Sequence, residues 1–368
     1  MRQAALAVTQ RLADAVVMVP GDAVPLSDPS TDSPAQQQAQ SQQPQQGSEA
    51  KPSLRARILR WAVPALGIVV LGLLLSHAHK IDWAGAWQAL QRYSPWVLLS
   101  VFAIATASHA LYGTFDLIGR RHTAYGLPRW RCWAIAVTSY AFNLNLGSLV
   151  GGVAMRARLY ARAGLDEGTV AQVIGISLAT NWLGYGLVAG CVFASGLLKP
   201  PSGAHLGELA FRSLGVLMIL IAVGYVAACM KWQGRQWKVR GRLLELPAAR
   251  VALMQLGLSA ANWTLMATAM YLLLGGKVAF VATMGTLLLA SVAGVVTPIP
   301  AGLGVLEAVY LAVLAGTVGQ GRLMGALLAY RALYYLVPLG GGLLLYLLLE
   351  RHASAHPPTG AGGAPGAG

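Results

Sequence analysis

Thr297-Pro298-Ile299-Pro300-Ala301-Gly302-Leu303-Gly304-Val305-Leu306-Glu307 lies inside an apolar run that extends from 281 to 316. Two prolines remove backbone donors, and Gly302 and Gly304 loosen the chain beyond them, which disfavours a straight helix through this stretch. The simplest path is a hairpin that enters the membrane, turns at the Pro-Gly octet and leaves on the side it came from. An earlier run, 132 to 154, carries a comparable interruption. Asn143, Asn145, Gly147, Ser148, Gly151 and Gly152 stand where an unbroken helix would be most apolar. Glycine weakens helix, and asparagine offers the backbone competing hydrogen bonds. Broken backbone at membrane depth survives only where protein or a water-filled cavity covers it.

The reading as a membrane protein rests on composition. Of 368 residues, 56% are hydrophobic and 11% charged, against roughly 25% charged in a soluble domain. A bilayer core about 30 Å thick needs roughly 20 apolar residues per helix, and the runs 95–118, 169–196, 211–230, 251–274 and 322–349 reach that length. A further run, 61–76, precedes them. The expected class is an all-α integral membrane protein with about six full spans and two re-entrant hairpins. An ordinary bundle of seven or eight spans with Gly and Pro kinks is the alternative. Span 95–118, the first hairpin and span 169–196 read as an inverted copy of span 251–274, the second hairpin and span 322–349. Transporters use such repeats, with broken helices meeting near the midplane.

Residues 1–52, with a Gln, Ser and Pro-rich stretch, read as a disordered tail, 53–351 as the membrane domain, and 352–368 as a second tail. Lys and Arg favour the cytoplasmic side. Lys51, Arg55, Arg57 and Arg60 place the N-terminus there, and Arg120, Arg121, Arg129, Arg131 and the Lys231–Arg250 run lie on the same side. Arg156, Arg158 and Arg162 join them only if the first hairpin returns to its own side. Both termini are expected in the cytoplasm of a bacterial-type cell. The formal charge of +14 is spread in short runs beside membrane ends, so anionic phospholipids, not nucleic acid, are the expected partners. Cys132, Cys191 and Cys229 give no disulfide framework, and His77 and His79 lack further ligands at metal-binding spacing. No metal or cofactor is expected.

Ionisable groups within apolar runs are costly and therefore usually paired or functional. Asp116 reads as an interfacial i,i+4 partner of Arg120. Glu307 comes just after the Pro-Gly break, and Arg331 lies about 14 Å into the last span at 1.5 Å per residue. An ion pair between them reads either as a lock or as a gate that frees Arg331 for a lipid phosphate. Arg156, Arg158, Tyr160 and Arg162 beside the Gly-rich tip form a candidate headgroup site, since Arg binds phosphate through a planar fork. Asn143, Asn145 and Tyr334 are further headgroup or gate candidates, and Asn181, Trp182, Tyr185, Tyr330 and Tyr335 are candidates, with Tyr334, for lining a polar path. No Gly-rich phosphate loop, His-Glu-x-x-His or Gly-x-Ser-x-Gly motif occurs.

The stretch 297–307, with Tyr330-Arg331-Ala-Leu-Tyr-Tyr-Leu-Val-Pro338 after it, resembles the flippase-like membrane region of lysylphosphatidylglycerol synthases. Leu146-Gly-Ser-Leu-Val-Gly-Gly-Val-Ala-Met-Arg-Ala-Arg-Leu-Tyr160 is similar to that family's other signature. The resemblance covers residues 55 to 350. It implies a multi-pass module linked to moving aminoacylated phospholipid between leaflets. Where the family often has Pro-Gly-Gly, this chain has Pro300-Ala301-Gly302. Synthases of this type continue into a soluble aminoacyltransferase domain, and about eighteen residues come after Glu350 here, so the resemblance implies the stand-alone branch without that activity. The leading expectation is a lipid flippase or polar-lipid transporter of the cytoplasmic membrane. A non-catalytic scaffold or accessory subunit is the alternative, and a membrane-embedded transferase the third.

Overall fold

The computed structural model describes Gln88 and residues 90–197, 207–239, 242–297, 302 and 304–355. The N-terminal tail, the first apolar run, His77, His79, Pro298, Pro300 and the C-terminal tail beyond Ala355 lie outside them. The protein is an all-α multi-pass membrane protein. Helix α1 (Pro95–Thr123) opens on proline, whose missing donor costs nothing in a first turn. It ends at left-handed Ala124, whose N–H bonds the Arg120 carbonyl at 3.0 Å. Helix α2 (Arg129–Leu146), a π-helical segment Ser148–Ala154 and α3 (Met155–Arg162) come after it. Next come α4 (Glu167–Ala194), α5 (Glu208–Lys231), a ribbon of β1 (Gln236–Val239) on β2 (Arg242–Glu245), and α6 (Ala249–Leu273). The chain continues through α7 (Phe280–Val296), α8 (Val305–Val318), α9 (Gln320–Tyr330), a second π-helical segment Arg331–Leu336 and α10 (Val337–Ala355).

Among the described residues five helices are long and apolar enough to cross a bilayer: α1, α4, α5, α6 and the continuous stretch Gln320–His352. The other apolar elements are shorter. Helices α7 and α8, with 17 and 14 residues, span about 25 and 21 Å at 1.5 Å per residue, less than the bilayer core. They fold back on each other: the Tyr310 hydroxyl of α8 donates to the Thr283 carbonyl of α7 at 3.1 Å. The first hairpin closes more tightly. Arg131 and Ile135 near the start of α2, Leu159 and Arg162 at the end of α3, and Leu349 and Glu350 of α10 line one crevice. Both arms therefore meet the same end of the bundle.

Contacts between the halves are reciprocal. α1 packs on α6; α2 packs on α10, and α7 packs on α4. This is the pattern an inverted repeat produces, each hairpin's longer arm lying against the closing span of the other half. α5 packs chiefly on α4, with Leu209, Leu217, Leu220 and Ile221 exposed. The β-ribbon in the basic linker is an addition to the expected helices, registered Gln236 opposite Glu245. His352–Ala355, expected to begin a tail, instead continue α10, and the His352 ring packs edge-on against Trp130 at 5.5 Å. Helix propagation adds one hydrogen bond per residue once a helix exists. At the start of α4 the Asp166 carboxylate accepts from the Thr169 N–H at 2.9 Å. The Thr169 hydrogen bonds hold its carboxyl below the usual range, so this cap persists at neutral pH and is lost only as pH falls through the carboxylate range.

The hairpin turn needs glycine for space as much as for conformation. Gly147 has φ +87°, a region most side chains avoid. A Cβ on Gly151 would lie 2.3 Å from the Phe142 carbonyl carbon and oxygen. Backbone cannot move aside as a side chain can. Gly151→Ala is expected to lower stability by about 1–3 kcal/mol or more through overpacking. Gly126→Ala, with nothing near its Cβ, should change it little. Thermal unfolding midpoints of the two purified variants in detergent check this.

Candidate functional site

Three departures from regular helix converge. The last span becomes π-helical from Arg331 to Leu336, a distortion that disturbs the normal pairing of carbonyls and is frequent at functional sites. From the first hairpin's tip, the Asn145 side-chain amide donates to the Tyr335 carbonyl at 3.1 Å and to its own helix at Ala141 at 2.9 Å. From the second, Glu307 grips Arg331. The Arg331 Nη2–H donates to Glu307 Oε2 at 2.9 Å while Nε–H donates to Oε1. Nη2 also reaches the carbonyl of left-handed Gly302 at 3.3 Å. A bidentate fork of this kind fixes orientation as well as charge. The guanidinium lies 5.4 Å from the Tyr335 ring centroid. Neither partner is sealed: their side chains are 14% and 16% exposed.

A second pair is fully enclosed. Asp116 accepts a hydrogen bond from the Tyr160 hydroxyl at 2.7 Å and faces Arg156 Nη1 at 3.4 Å. The same Nη1 donates to Ser177 of α4 at 3.0 Å. The expected pairing of Asp116 with Arg120 is therefore corrected: Arg120 turns away to donate to the Leu127 carbonyl at 2.6 Å, and the carboxylate points inward. A carboxylate at this depth gains more from a buried arginine and a phenol than from a cation that water can hydrate. Arg156 Nε and Nη2 have no hydrogen-bond partner among the described residues. Ser177 and Arg331 both lie about three turns into their spans, so each hairpin's return arm sends a charged residue to a corresponding depth.

The other predicted candidates serve mainly packing and ties between elements. Arg158 and Arg162 both pair with Glu350, at 3.3 and 3.1 Å, and tie the first hairpin to α10. Asn143 supports the turn, its carbonyl accepting from Gly147 N–H at 2.8 Å and its side chain lying against Gly152. Tyr334 is buried, hydrogen-bonded to the Ser108 hydroxyl. Tyr185 donates to the Leu288 carbonyl at 3.0 Å, whereas Trp182 is exposed. Gly304 has φ +81° and caps α8.

Sequence reasoning passed over a vestibule. A cavity of about 1090 Å³ opens among α1, the start of α2, α4, α5, α6 and the linker, lined by Arg120, Arg121 and Arg129 at one end and by Thr114, Tyr225 and Gln255 deeper in. Tyr225 donates to Gln255 Oε1 at 2.7 Å, and Gln255 Nε2 donates to Thr180 at 2.9 Å. Gln255 and Thr180 were available as buried polar residues in spans, although nothing in their spacing marked them. His109 was also overlooked; with Tyr112 and Asp116 it keeps an i, i+3, i+7 spacing that places all three on one face of α1.

The model of a family described as the lysylphosphatidylglycerol synthase TM region matches residues 61–342. The chain belongs to that family. Both hairpins, the Asp116–Arg156 and Glu307–Arg331 pairs and the π-helical segments lie within the matched region. Relatives of this lysylphosphatidylglycerol synthase TM-region protein include inner membrane protein YbhN of Escherichia coli (strain K12), 39% identical over 82% of this chain and 94% of the relative. The uncharacterized protein slr0712 of Synechocystis is 29% identical, covering 78% and 91%. A phosphatidylglycerol lysyltransferase of Staphylococcus haemolyticus is 24% identical over 78% of this chain but only 34% of its own length.

Removing one member of an enclosed ion pair strands the other. Asp116→Ala is expected to cost about 3–5 kcal/mol, whereas the double variant Asp116→Ala with Arg156→Met should recover part of that loss. Thermal unfolding of the single and double variants checks the difference. Equal destabilisation by the two would show that the pair is not the unit.

Proposed function

We propose that the protein is a polar-lipid transporter that moves phospholipids with anionic headgroups between the leaflets of the bacterial inner membrane. The observation that carries this reading is the meeting of both hairpin tips on the π-helical segment that bears Arg331. Broken helices meeting in this way form the substrate site of inverted-repeat transporters. Arg331 remains partly accessible beside its carboxylate, so an anion can approach it, whereas Arg156 is enclosed.

The basic end of the bundle is assigned to the cytoplasm, in keeping with the distribution of Lys and Arg. Anionic headgroups collect at Arg120, Arg121 and Arg129 at the vestibule mouth, a cluster of the kind that gains about 1 kcal/mol per basic residue near an anionic surface. Arg331 is the second station, with Glu307 as the competing anion. When a phosphate displaces Glu307, one charge-assisted pair replaces another. Arg156, Arg158 and Arg162, occupied by Asp116 and Glu350, hold the hairpin and do not serve as headgroup ligands in this reading. The relationship to YbhN and to a phosphatidylglycerol lysyltransferase supports a role in membrane lipid handling.

Purified protein in vesicles containing fluorescent phosphatidylglycerol should accelerate exposure of the label to an external quencher by about tenfold or more, a barrier decrease of about 1.4 kcal/mol. Arg331→Ala should abolish most of the acceleration. Substituting Arg120, Arg121 and Arg129 together should reduce exchange of phosphatidylglycerol more than of phosphatidylcholine. Exchange at the protein-free rate rejects the reading.

A further inference from the structure

His109 lies in α1 between the two ion pairs, 4% exposed. Its Nδ1 is 2.8 Å from the Ala105 carbonyl, a contact only an N–H can make, so the hydrogen is on Nδ1 and Nε2 keeps a lone pair. Nε2 is buried and has no hydrogen-bond partner among the described residues. Most buried polar atoms are satisfied, and an exception calls for a function.

The ring stands in a file of aromatic side chains. On one side it meets Tyr140 of α2 at 4.8 Å; Tyr140 stacks on Tyr112 at 3.8 Å and 8°, and the Arg156 guanidinium lies 5.6 Å from Tyr112. On the other it meets Tyr334 at 5.2 Å; Tyr334 meets Tyr335 at 6.1 Å, whose ring faces Arg331. Tyr334 shares a hydrogen bond with Ser108, and Ser108 donates to Asn262 of α6 at 2.7 Å. The titratable groups facing His109 are thus Tyr140 from α2, Tyr334 from the π-helical segment and Tyr112 one turn along α1. α6 presents neutral Asn262, and α4, also packed on α1, places Tyr185 farther along with its hydroxyl on Leu288. The nearest charged side chains of the file are Asp116 and Arg156 at one end, Arg331 and Glu307 at the other.

We propose that His109 Nε2 is a proton-binding site and that proton binding is coupled to binding of an anion at Arg331. The charge balance gives the reason. With neutral His109 the two ends of the file hold two arginines and two carboxylates, paired one to one. A proton on Nε2 adds a third cation without a carboxylate to match it, and an uncompensated charge in low dielectric is costly. An anionic headgroup entering beside Arg331 restores the balance, and the coupling is reciprocal: each ligand strengthens the binding of the other. The route of communication is short, because Tyr334 and Arg331 share one π-helical segment. An imidazolium donating toward the hydroxyls of Tyr140 or Tyr334 reorders hydrogen bonds within a turn of the guanidinium. The proton enters and leaves as H⁺ at one nitrogen, with no covalent bond formed elsewhere.

The anion half of this proposal rests on the transport reading, so the test has two arms. In the first, a variant whose other histidines (seven in total with His109) are replaced by asparagine is labelled with ¹⁵N-histidine and examined by NMR in phosphatidylglycerol-containing bilayers from about pH 8 to about pH 3, a range wide enough for a buried imidazole. The expected result is conversion of the His109 signals from the neutral Nδ1–H tautomer to imidazolium; a spectrum that stays neutral throughout overturns the proton site. In the second, leaflet exchange of phosphatidylglycerol is measured with and without a pH gradient. Stimulation of about threefold or more, lost in His109→Gln while that variant still unfolds cooperatively, supports coupling. Exchange that ignores the gradient overturns coupling and leaves transport standing. No exchange under any condition rejects transport, and the NMR arm then decides the proton site by itself.

Discussion

Every peptide group that leaves regular helix within a bilayer must find its hydrogen-bond partner inside the protein, because the lipid supplies none. Much of the architecture around the hairpins stems from that requirement. The second hairpin exposes the Gly302 carbonyl, and Arg331 reaches it. The last span, distorted into a π-helix, offers the Tyr335 carbonyl, and Asn145 fills it. Two of the breaks are thus repaired by a side chain from a different element. The repair is also what brings a guanidinium, a carboxylate and an amide to one place.

The two ion pairs show how the same chemistry serves opposite ends. Asp116 and Arg156 are enclosed, with a phenol and a hydroxyl completing part of the shell. Such a pair adds specificity of packing more than net stability, since desolvation offsets most of the attraction. Glu307 and Arg331 retain access at their edges, and a pair that is only partly desolvated exchanges partners at lower cost.

Much of the plan was legible in the residues. The apolar runs reflect hydropathy, and the observed elements depart from them by only a few residues. Gly147, Gly151, Gly302 and Gly304 mark both turns because the left-handed backbone and, at Gly151, the close approach to Phe142 exclude other side chains. Pairing of Glu307 with Arg331 was inferable from depth alone, because two opposite charges in an apolar setting have few alternatives. Asp116 was misassigned for a corresponding reason: a basic residue four positions away satisfied the local rule, and nothing local shows that Arg120 turns outward.

By itself, then, the sequence determined that the chain crosses a membrane several times, where its helices break and which charges cannot remain alone, since hydropathy, backbone conformation and desolvation act residue by residue. Tertiary structure decided which partner each charge takes, that Asn145 reaches Tyr335, that basic residues from α1 and α2 frame a vestibule, and that His109 lies in a file of tyrosines. Those outcomes depend on which helix faces meet. That is set by the packing of α1 on α6 and of each hairpin on the opposite repeat, distances in space that spacing along one chain does not encode.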